Sequence, residues 1–574
     1  MRKDRKLKNW RIGIAFLFIC AISAGIIFRL FSLQIIDYKF YSIKAKNQHE
    51  FSRTLNPRRG SIFMKDRFGD VYPLAINKDY GAVYVIPNEI TDKENTAEKL
   101  SQILNVDKEI ILNRISKKDD PYEPIKSKIS DEELAVIKNE TITGVYLSTK
   151  ESRFYPYEDA ASNLVGFVNA PDNEFIGQYG LEKFYDEELA GKKGRLIAEK
   201  GIGDAIIFTG ERDYEPMIDG TDLILTLDPN VQFKAEEILK NAAEKWQAER
   251  GSVIISDPKT GAIKAMANWP SFDLNEYSKV KDINIFLNPA VQNIFEPGSV
   301  IKTITMATGL DIGVVSPDTK YIDEGFVKIG GYKIMNFDNL AHGEKTMREV
   351  LELSLNTGVV FVQKKIPKPV FKDYFEKFGF SEKTGIDLPG EVTGNILNLN
   401  TNRDINYATA SFGQGIAITP VQLIVAIGAL ANQGKIMKPF VVDEFKLPDG
   451  KTIKTQPQEI RQVISSNTAA KIASIMTDVV KNGFDKRAGV EGYMVAGKTG
   501  TAQIPDGKGG YSDEFIHSFV GFAPAFDARF AVLIKLEKPK GNRFASNTLS
   551  SFFGELMNYL VSYYEIPPDN RASF

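Results

Sequence analysis

The chain reads as an α+β protein carried on one membrane segment, and three observations predict this. A seventeen-residue run without a charge, Ile12 to Phe28, follows a basic start. Further on, Gly251 to Ser256 and Ala262 to Ala267 flank the turn Asp257-Pro258-Lys259-Thr260-Gly261, a β-hairpin by pattern and by turn residues. Helical patterns lie on both sides of it, Val231 to Ala248 and Val300 to Leu310, so antiparallel strands and helices build one domain. With 574 residues, 43% hydrophobic and 25% charged, the chain has material for two to four globular domains.

The first eleven residues carry six basic side chains and one acidic one, which leaves the remainder of a chain of net charge −2 at −7. No basic face argues for nucleic acid. The positive-inside rule keeps residues 1–11 in the cytoplasm, makes 12–28 the transmembrane helix and puts the rest outside. A cleaved signal peptide is the rival; the run is longer than a usual h-region and no clear A-x-A site follows it. Leu17-Phe18-Ile19-Cys20 faintly suggests a lipidation box, but bulky Phe18 and Ile19 favour an inert membrane thiol. Cys20 is the only cysteine, so no intrachain disulfide forms. His49, His342 and His517 are scattered, so the spacing predicts no metal and no cofactor, and a Ser-His-Asp triad is disfavoured in favour of a lysine base.

In order after the anchor, Leu30, Leu33, Ile36 and Phe40 continue a helix as a stalk to Lys46, and Arg58 to Gly69 reads as strand, turn, strand. Residues 80–215 mix helical runs (Thr96 to Leu104, Asp131 to Asn139) with strand-like pieces (Gly144 to Leu147, Leu196 to Glu199) and hold no catalytic cluster. We therefore expect a non-catalytic module over 29–217, a boundary where Pro216 and Asp219-Gly220 punctuate the chain, a second domain over 218–565, and a tail at 566–574. The apolar face Leu549, Phe552, Phe553, Leu556, Met557 and Leu560 predicts a closing helix packed on a sheet.

The chemistry centres on Glu296-Pro297-Gly298-Ser299-Val300-Ile301-Lys302. Pro297 and Gly298 break regular structure and an apolar helix follows, so Ser299 falls at or near an N-cap, with Lys302 one turn on. A lysine base must be neutral, yet an ordinary lysine is neutral in roughly one molecule in 2,500 at pH 7, so the site has to desolvate it or crowd it with a cation. Ser-x-x-Lys also occurs at Ser256/Lys259, across a proline turn, and at Ser278/Lys281, in a polar stretch; neither has a break before it and an apolar helix after it.

Downstream, Ser354-Leu355-Asn356 lies within a predicted helix, Arg348 to Gln363, where a buried polar pair is the competing explanation. The similar Ser465-Ser466-Asn467 reads as a cap on Thr468 to Val480. Lys-Thr-Gly occurs three times, but only Lys498-Thr499-Gly500-Thr501 adds a second threonine within strand-like sequence, where an edge can take an extended peptide and a cation with hydroxyls suits a carboxylate.

Ser-x-x-Lys, Ser-x-Asn 55 residues later and Lys-Thr-Gly-Thr a further 144 on resemble the penicillin-binding transpeptidases that share the serine β-lactamase active site. Asp228-x-x-x-Gln232, Gly385 to Glu391 and Phe412-Gly413-Gln414-Gly415 with Thr419-Pro420-x-Gln422 read like the same domain, over roughly 218–565. Arg59-Gly60-x-Ile62 and Asp66-Arg67-x-Gly69 are similar to the signature of class B, monofunctional members, with two extra residues between Ile62 and Asp66. His517 to Pro524 resembles the division-specific group slightly more than the elongation group.

The resemblance implies an antiparallel sheet packed by helices plus an all-helical subdomain, behind an elongated dimerisation-like or pedestal-like module. It implies a peptidoglycan D,D-transpeptidase of septal wall synthesis that crosslinks stem peptides ending in D-Ala-D-Ala and that β-lactams acylate. Ser299 would be the nucleophile, Lys302 its base, Ser354 a proton relay toward the leaving amine, and Asn356 a ligand of the donor amide that also helps order Lys302. Lys498 with Thr499 and Thr501 would bind the terminal carboxylate, Gly500 would be a substrate-binding residue between them, and the backbone N–H groups of Ser299 and Thr501 would form the oxyanion hole. A membrane glycan polymerase and other wall-synthesis or division proteins are the implied partners. Two rivals stand at this point: a carboxypeptidase or β-lactamase, since Glu391-x-x-x-Asn395 loosely matches a deacylating glutamate, and a β-lactam-binding scaffold without catalysis.

Overall fold

The computed structural model describes residues 4–41, 50–117, 120, 122–170, 174–199 and 212–569 and divides into two units, Met1–Arg58 with Gly191–Asp219, and Arg59–Ala190 with Gly220–Phe574. In the first unit the helix Asp4–Phe31 runs into a π-turn at Ser32–Ile36 and resumes at 38–41. Within it Trp10–Ile36, 27 residues of mean hydropathy 2.4 with none of its surface buried in the protein, is long and apolar enough to cross a membrane. The part of the expected stalk from 42 to 46 lies outside the described residues. The same unit contains an antiparallel sheet of Glu50–Leu55, Gly194–Glu199 and Arg212–Glu215.

The second unit is built on two sheets. In the seven-stranded one the expected hairpin near Arg58 to Gly69 appears as Ile62–Lys65 against Val71–Val85, which continues to pair with Glu123–Ile129 and Val145–Phe154. On the other side Ile62–Lys65 runs parallel to Asp222–Leu225, which pairs antiparallel with Val442–Lys446. The parallel contact brings Asp222 to the Ser61 N–H at 2.7 Å. A Cβ on Gly60 would sit 2.0 Å from the Thr221 carbonyl, so no side chain fits there. Beside it Arg59 and Arg153 share the fully buried Glu182, each at 2.7 Å; such a carboxylate is stable only while both guanidiniums remain.

Helix α1, Pro229–Trp246, starts where Asp228 accepts from the Asn230 and Val231 N–H groups, with Pro229 at the first helical position. Gln232 on its inner face pairs its amide with both the N–H and the carbonyl of Met266, as a strand residue would. Strands β1, Arg250–Ser256, and β2, Ile263–Trp269, form the expected hairpin. The helical part follows: α2, Ile301–Asp311; α3, Met347–Glu352; α4, Asn356–Lys365; α5, Pro420–Ala431; and α6, Ser466–Asn482, capped by Ser465. The chain then returns as β3, Ala496–Pro505, β4, Tyr511–Ala523, and β5, Phe530–Glu537, and closes with α7, Ser550–Tyr563.

The five strands lie in the order β2-β1-β5-β4-β3, all antiparallel, so β3 is an edge. Alternation along β1 divides the core: Val253 and Ile255 pack with α1 and α7, while Ile254 faces the cluster containing α2 and α5. Helix α2 is enclosed, with residues 301 to 310 all buried, so a lysine on it is almost wholly withdrawn from water.

One element departs from expectation. The single helix predicted over Arg348 to Gln363 is broken between α3 and α4, because Ser354 adopts φ +53°. Leu355 N–H donates to the Val350 carbonyl and Ser354 N–H to Leu351, the bonding of a Schellman helix end with Ser354 in its left-handed position. Glycine usually occupies that position.

Candidate active site

Ser299 lies in a 3₁₀ turn, Gly298–Val300, one residue short of α2. Val300 takes the N-cap position without a side-chain bond, so the Ser299 hydroxyl is not used to cap the helix. Three neighbours hold the turn. Gly298 N–H donates to the Gly413 carbonyl at 3.1 Å, and Phe295 and Ile418 exchange two backbone bonds at 2.9 Å each. Across the turn, Gly500 approaches so closely that a Cβ would lie 2.7 Å from the Pro297 carbonyl and 3.0 Å from Val300. The edge strand β3 is thus in direct contact with the residues that carry Ser299.

Lys302 is 1% exposed. Its Nζ donates to the Ser354 carbonyl at 2.6 Å and to Ser354 Oγ at 3.2 Å. The Schellman turn explains how one serine offers both oxygens, since the left-handed residue rotates its carbonyl out of the helix. Burial pushes the Lys302 amine well below the usual lysine range, and the Lys498 charge pushes the same way. A neutral amine has two N–H donors and one lone pair. Ser354 accepts both donors, which leaves the lone pair unengaged by that pair of bonds.

On β3, Thr499 N–H donates outside the ladder to Asp485 Oδ2 at 3.1 Å. In a strand, N–H groups two residues apart point the same way, so the Thr501 N–H also projects from the free edge. Lys498 Nζ donates to the Thr499 carbonyl at 3.1 Å; burial lowers its pKa, opposed by the Asp485 charge. Asn356 opens α4 and donates its amide to the Met335 carbonyl at 2.8 Å.

Ser299, Ser354, Asn356, Lys498, Thr499 and Thr501 line one cleft of about 460 Å³, with Lys302 immediately beneath and Gly500 packed against the turn that carries Ser299. The decoys lie elsewhere: Lys259 pairs with Asp527 on a turn, and Ser278 and Lys281 are exposed. Glu391 does not line this cleft among the described residues. It is buried and accepts from Thr384 N–H and Oγ1, both at 2.6 Å, and from Gly385 N–H at 3.1 Å, so it closes its own loop.

Several contributors were invisible in the sequence. Asp485 follows a helix and reads as an ordinary loop charge, yet it is 1% exposed. Glu296 accepts from the Gly415 N–H at 2.9 Å and from Tyr511 OH at 3.1 Å, which ties the Gly-rich hairpin between β3 and β4 to the loop before Ser299. Phe337, Phe484 and Phe544 pack edge to face over the cleft mouth, with ring centroids 5.5–5.6 Å apart.

The family model described as Penicillin binding protein transpeptidase domain matches residues 251–558, and Penicillin-binding Protein dimerisation domain matches 54–225. The chain belongs to the penicillin-binding protein transpeptidase family. Its pairing with the dimerisation domain makes it a class B member, a serine-type peptidoglycan D,D-transpeptidase that binds penicillins. Stage V sporulation protein D of Bacillus subtilis is 34% identical over 536 residues, 92% of this chain and 82% of the relative. Peptidoglycan D,D-transpeptidase FtsI of Buchnera aphidicola subsp. Schizaphis graminum is 29% identical over 588 residues, 99% of this chain and 98% of that one. Penicillin binding protein 3 of Mycobacterium tuberculosis, solved with aztreonam, superposes with a TM-score of 0.68 at 25% identity, covering 90% of this chain and 98% of that one.

Proposed function

We propose that Ser299 of this penicillin-binding protein attacks the carbonyl of the penultimate D-alanine of a donor stem peptide, forming an acyl-enzyme and releasing D-alanine. Lys302 takes the Ser299 proton. Ser354, bonded to the same amine, passes a proton to the leaving nitrogen, so that the proton removed from the nucleophile reappears on the leaving group. Backbone N–H groups of Ser299 and Thr501 receive the developing oxyanion, each worth about 3–4 kcal/mol in comparable sites. Lys498, Thr499 and Thr501 bind the terminal carboxylate; Asn356 holds the donor amide. An amine on a neighbouring strand then takes the acyl group.

The observation that carries this assignment is the Lys302 amine: buried, pushed toward neutrality, with both donors on Ser354. The bound state of Glu391 weakens the feature that favoured a β-lactamase, because its bonds to Thr384 and Gly385 hold it in its own loop, away from the residues lining the Ser299 cleft. The apolar N-terminal helix anchors the protein in the cytoplasmic membrane, with residues 1–11 inside and the catalytic domain outside. It acts in septal wall synthesis, beside a membrane glycan polymerase.

The site is tested with labelled penicillin on the full chain in detergent, followed by peptide mapping. The label is expected on the Ser299 peptide, retained for many minutes and lost in Ser299→Ala; label elsewhere, or turnover within seconds, overturns the assignment. Depletion in cells tests the septal role: filaments support it, round cells refute it.

A further inference from the structure

We propose that Asp485 is a positioning residue for the reaction, the buried counter-charge of Lys498 and the clamp that fixes the β3 edge. The inference rests on the assignment of the cleft given above. Asp485 lies between α6 and β3, in the cleft wall. Its Oδ2 accepts from both the N–H and the Oγ1 of Thr499, each at 3.1 Å, and its Oδ1 accepts from Ser550 Oγ at 3.3 Å. The Thr499 N–H can only donate, and both hydroxyls are placed to donate as well, a set that suits the ionised carboxylate; burial raises the Asp485 pKa and the Lys498 charge opposes that rise. Three segments distant in sequence, the end of α6, β3 and the start of α7, are joined at this one group.

The charge has an equally specific place. Facing Asp485 from β3 is Lys498, from α7 the neutral Ser550, and Lys486 and Arg487 on its own turn are exposed. Glu352 is the other carboxylate in the cleft wall. Asp485 thus supports the cation on Lys498, and Lys498 is the charge that acts on Lys302. The roles divide: Asp485 opposes the effect of burial on Lys498, the binding cation, while burial is the larger cause and Lys498 the lesser of the downward shift at Lys302.

The clamp also assigns the Thr499 hydroxyl. Its proton is directed to Asp485, so the hydroxyl meets a substrate carboxylate by turning from that bond, and the charge comes from the Lys498 ammonium, with the Arg543 guanidinium also in the cleft wall. Removing the anion while keeping the shape separates these effects. Asp485→Asn still accepts from Thr499 but no longer supports Lys498, so Lys498 deprotonates at lower pH.

The experiment compares acylation by an N-acyl-D-alanyl thioglycolate, which bears the carboxylate, with its primary amide across pH 6 to 10. In Asp485→Asn the alkaline limb for the acid is expected to move down by at least one pH unit, a tenfold change in the charged fraction of Lys498 on the limb. Preference for the acid over the amide falls at least tenfold at pH 8.5, while the amide changes less than threefold. Asp485→Glu, which keeps the charge, retains the preference. An unchanged limb in Asp485→Asn, or equal loss for both thioesters, overturns the proposal; should Asp485→Asn fail to fold, loss of the preference in a folded Asp485→Glu does so. Penicillin labelling of Ser299 in the same preparations keeps this test separate from the cleft assignment, which stands or falls on where that label sits and how long it is retained.

Discussion

Gly500→Ala should impair acylation without unfolding the protein. The added Cβ meets Ser518 Oγ at 2.5 Å, the Pro297 carbonyl at 2.7 Å and Val300 Cγ1 at 3.0 Å. The Ser518 hydroxyl can turn aside, but the Pro297 carbonyl is backbone and falls roughly 0.7 Å short of an ordinary contact in a close-packed interior. Relief requires β3 to separate from the turn that carries Ser299, and Pro297 is bonded to Gly298, the residue before the nucleophile. Overpacking of this size costs about 1–3 kcal/mol, and a displacement approaching 1 Å between nucleophile and oxyanion donors costs about 10- to 100-fold in rate. Stopped-flow acylation by a fluorescent penicillin, with thermal melting in parallel, reads both. As a control, Gly428→Ala in α5 meets only Pro258 at 3.8 Å and should stabilise by up to about 1 kcal/mol with unaltered acylation. Gly500→Ala reacting within twofold of wild type would refute the claim that direct β3 contact sets the nucleophile's position.

Two further predictions concern other residues. Ser354→Gly relieves a left-handed φ of +53°, worth about 1–2 kcal/mol, yet removes the Oγ bonded to Lys302, so melting should rise while acylation falls at least about tenfold; a fall in both would show that the turn depends on the hydroxyl. His517 is buried, donates Nε2–H to the Arg543 carbonyl, and is pushed down to about 4 by burial. Because its folded pKa lies below the unfolded value near 6.5, it contributes stability above pH 6.5 that disappears as pH falls toward 4, about 3 kcal/mol in all. Urea midpoints measured from pH 7 to pH 4 should fall less steeply in His517→Gln than in wild type; parallel slopes would exclude His517 as the titrating group.

What the sequence revealed and what it concealed follow from the range of the interactions. The hairpin at 251 to 267, the cap at Ser465 and helix α7 depend on residues a few positions apart, and their patterns were legible. The motif residues were legible because two hydroxyl-lysine decoys lacked the flanking break and apolar helix. Ser354 was misread as mid-helix, because apolar periodicity runs on through the Schellman turn and only backbone bonding from Leu355 to Val350 reveals the break. The parallel pairing of Ile62–Lys65 with Asp222–Leu225 leaves no local signal at all, and Asp485 is chemically an unremarked loop aspartate until burial is known.

The two lysines of the site show why such long-range facts decide the chemistry. Each is more than 97% buried, on different elements, and burial alone would drive both toward the neutral amine. Two neutral lysines would leave a substrate carboxylate unpaired; two charged ones would leave no base. The sheet separates their fates by placing β3 at an edge, where Asp485 binds Thr499 and its charge acts on the neighbouring Lys498, while α2 encloses Lys302 against Ser354 oxygens that bear no net charge. Identity of the residue type therefore does not assign the base. In the proposed mechanism the Asp485 charge beside Lys498 does, whereas the charge acting on Lys302 is another cation.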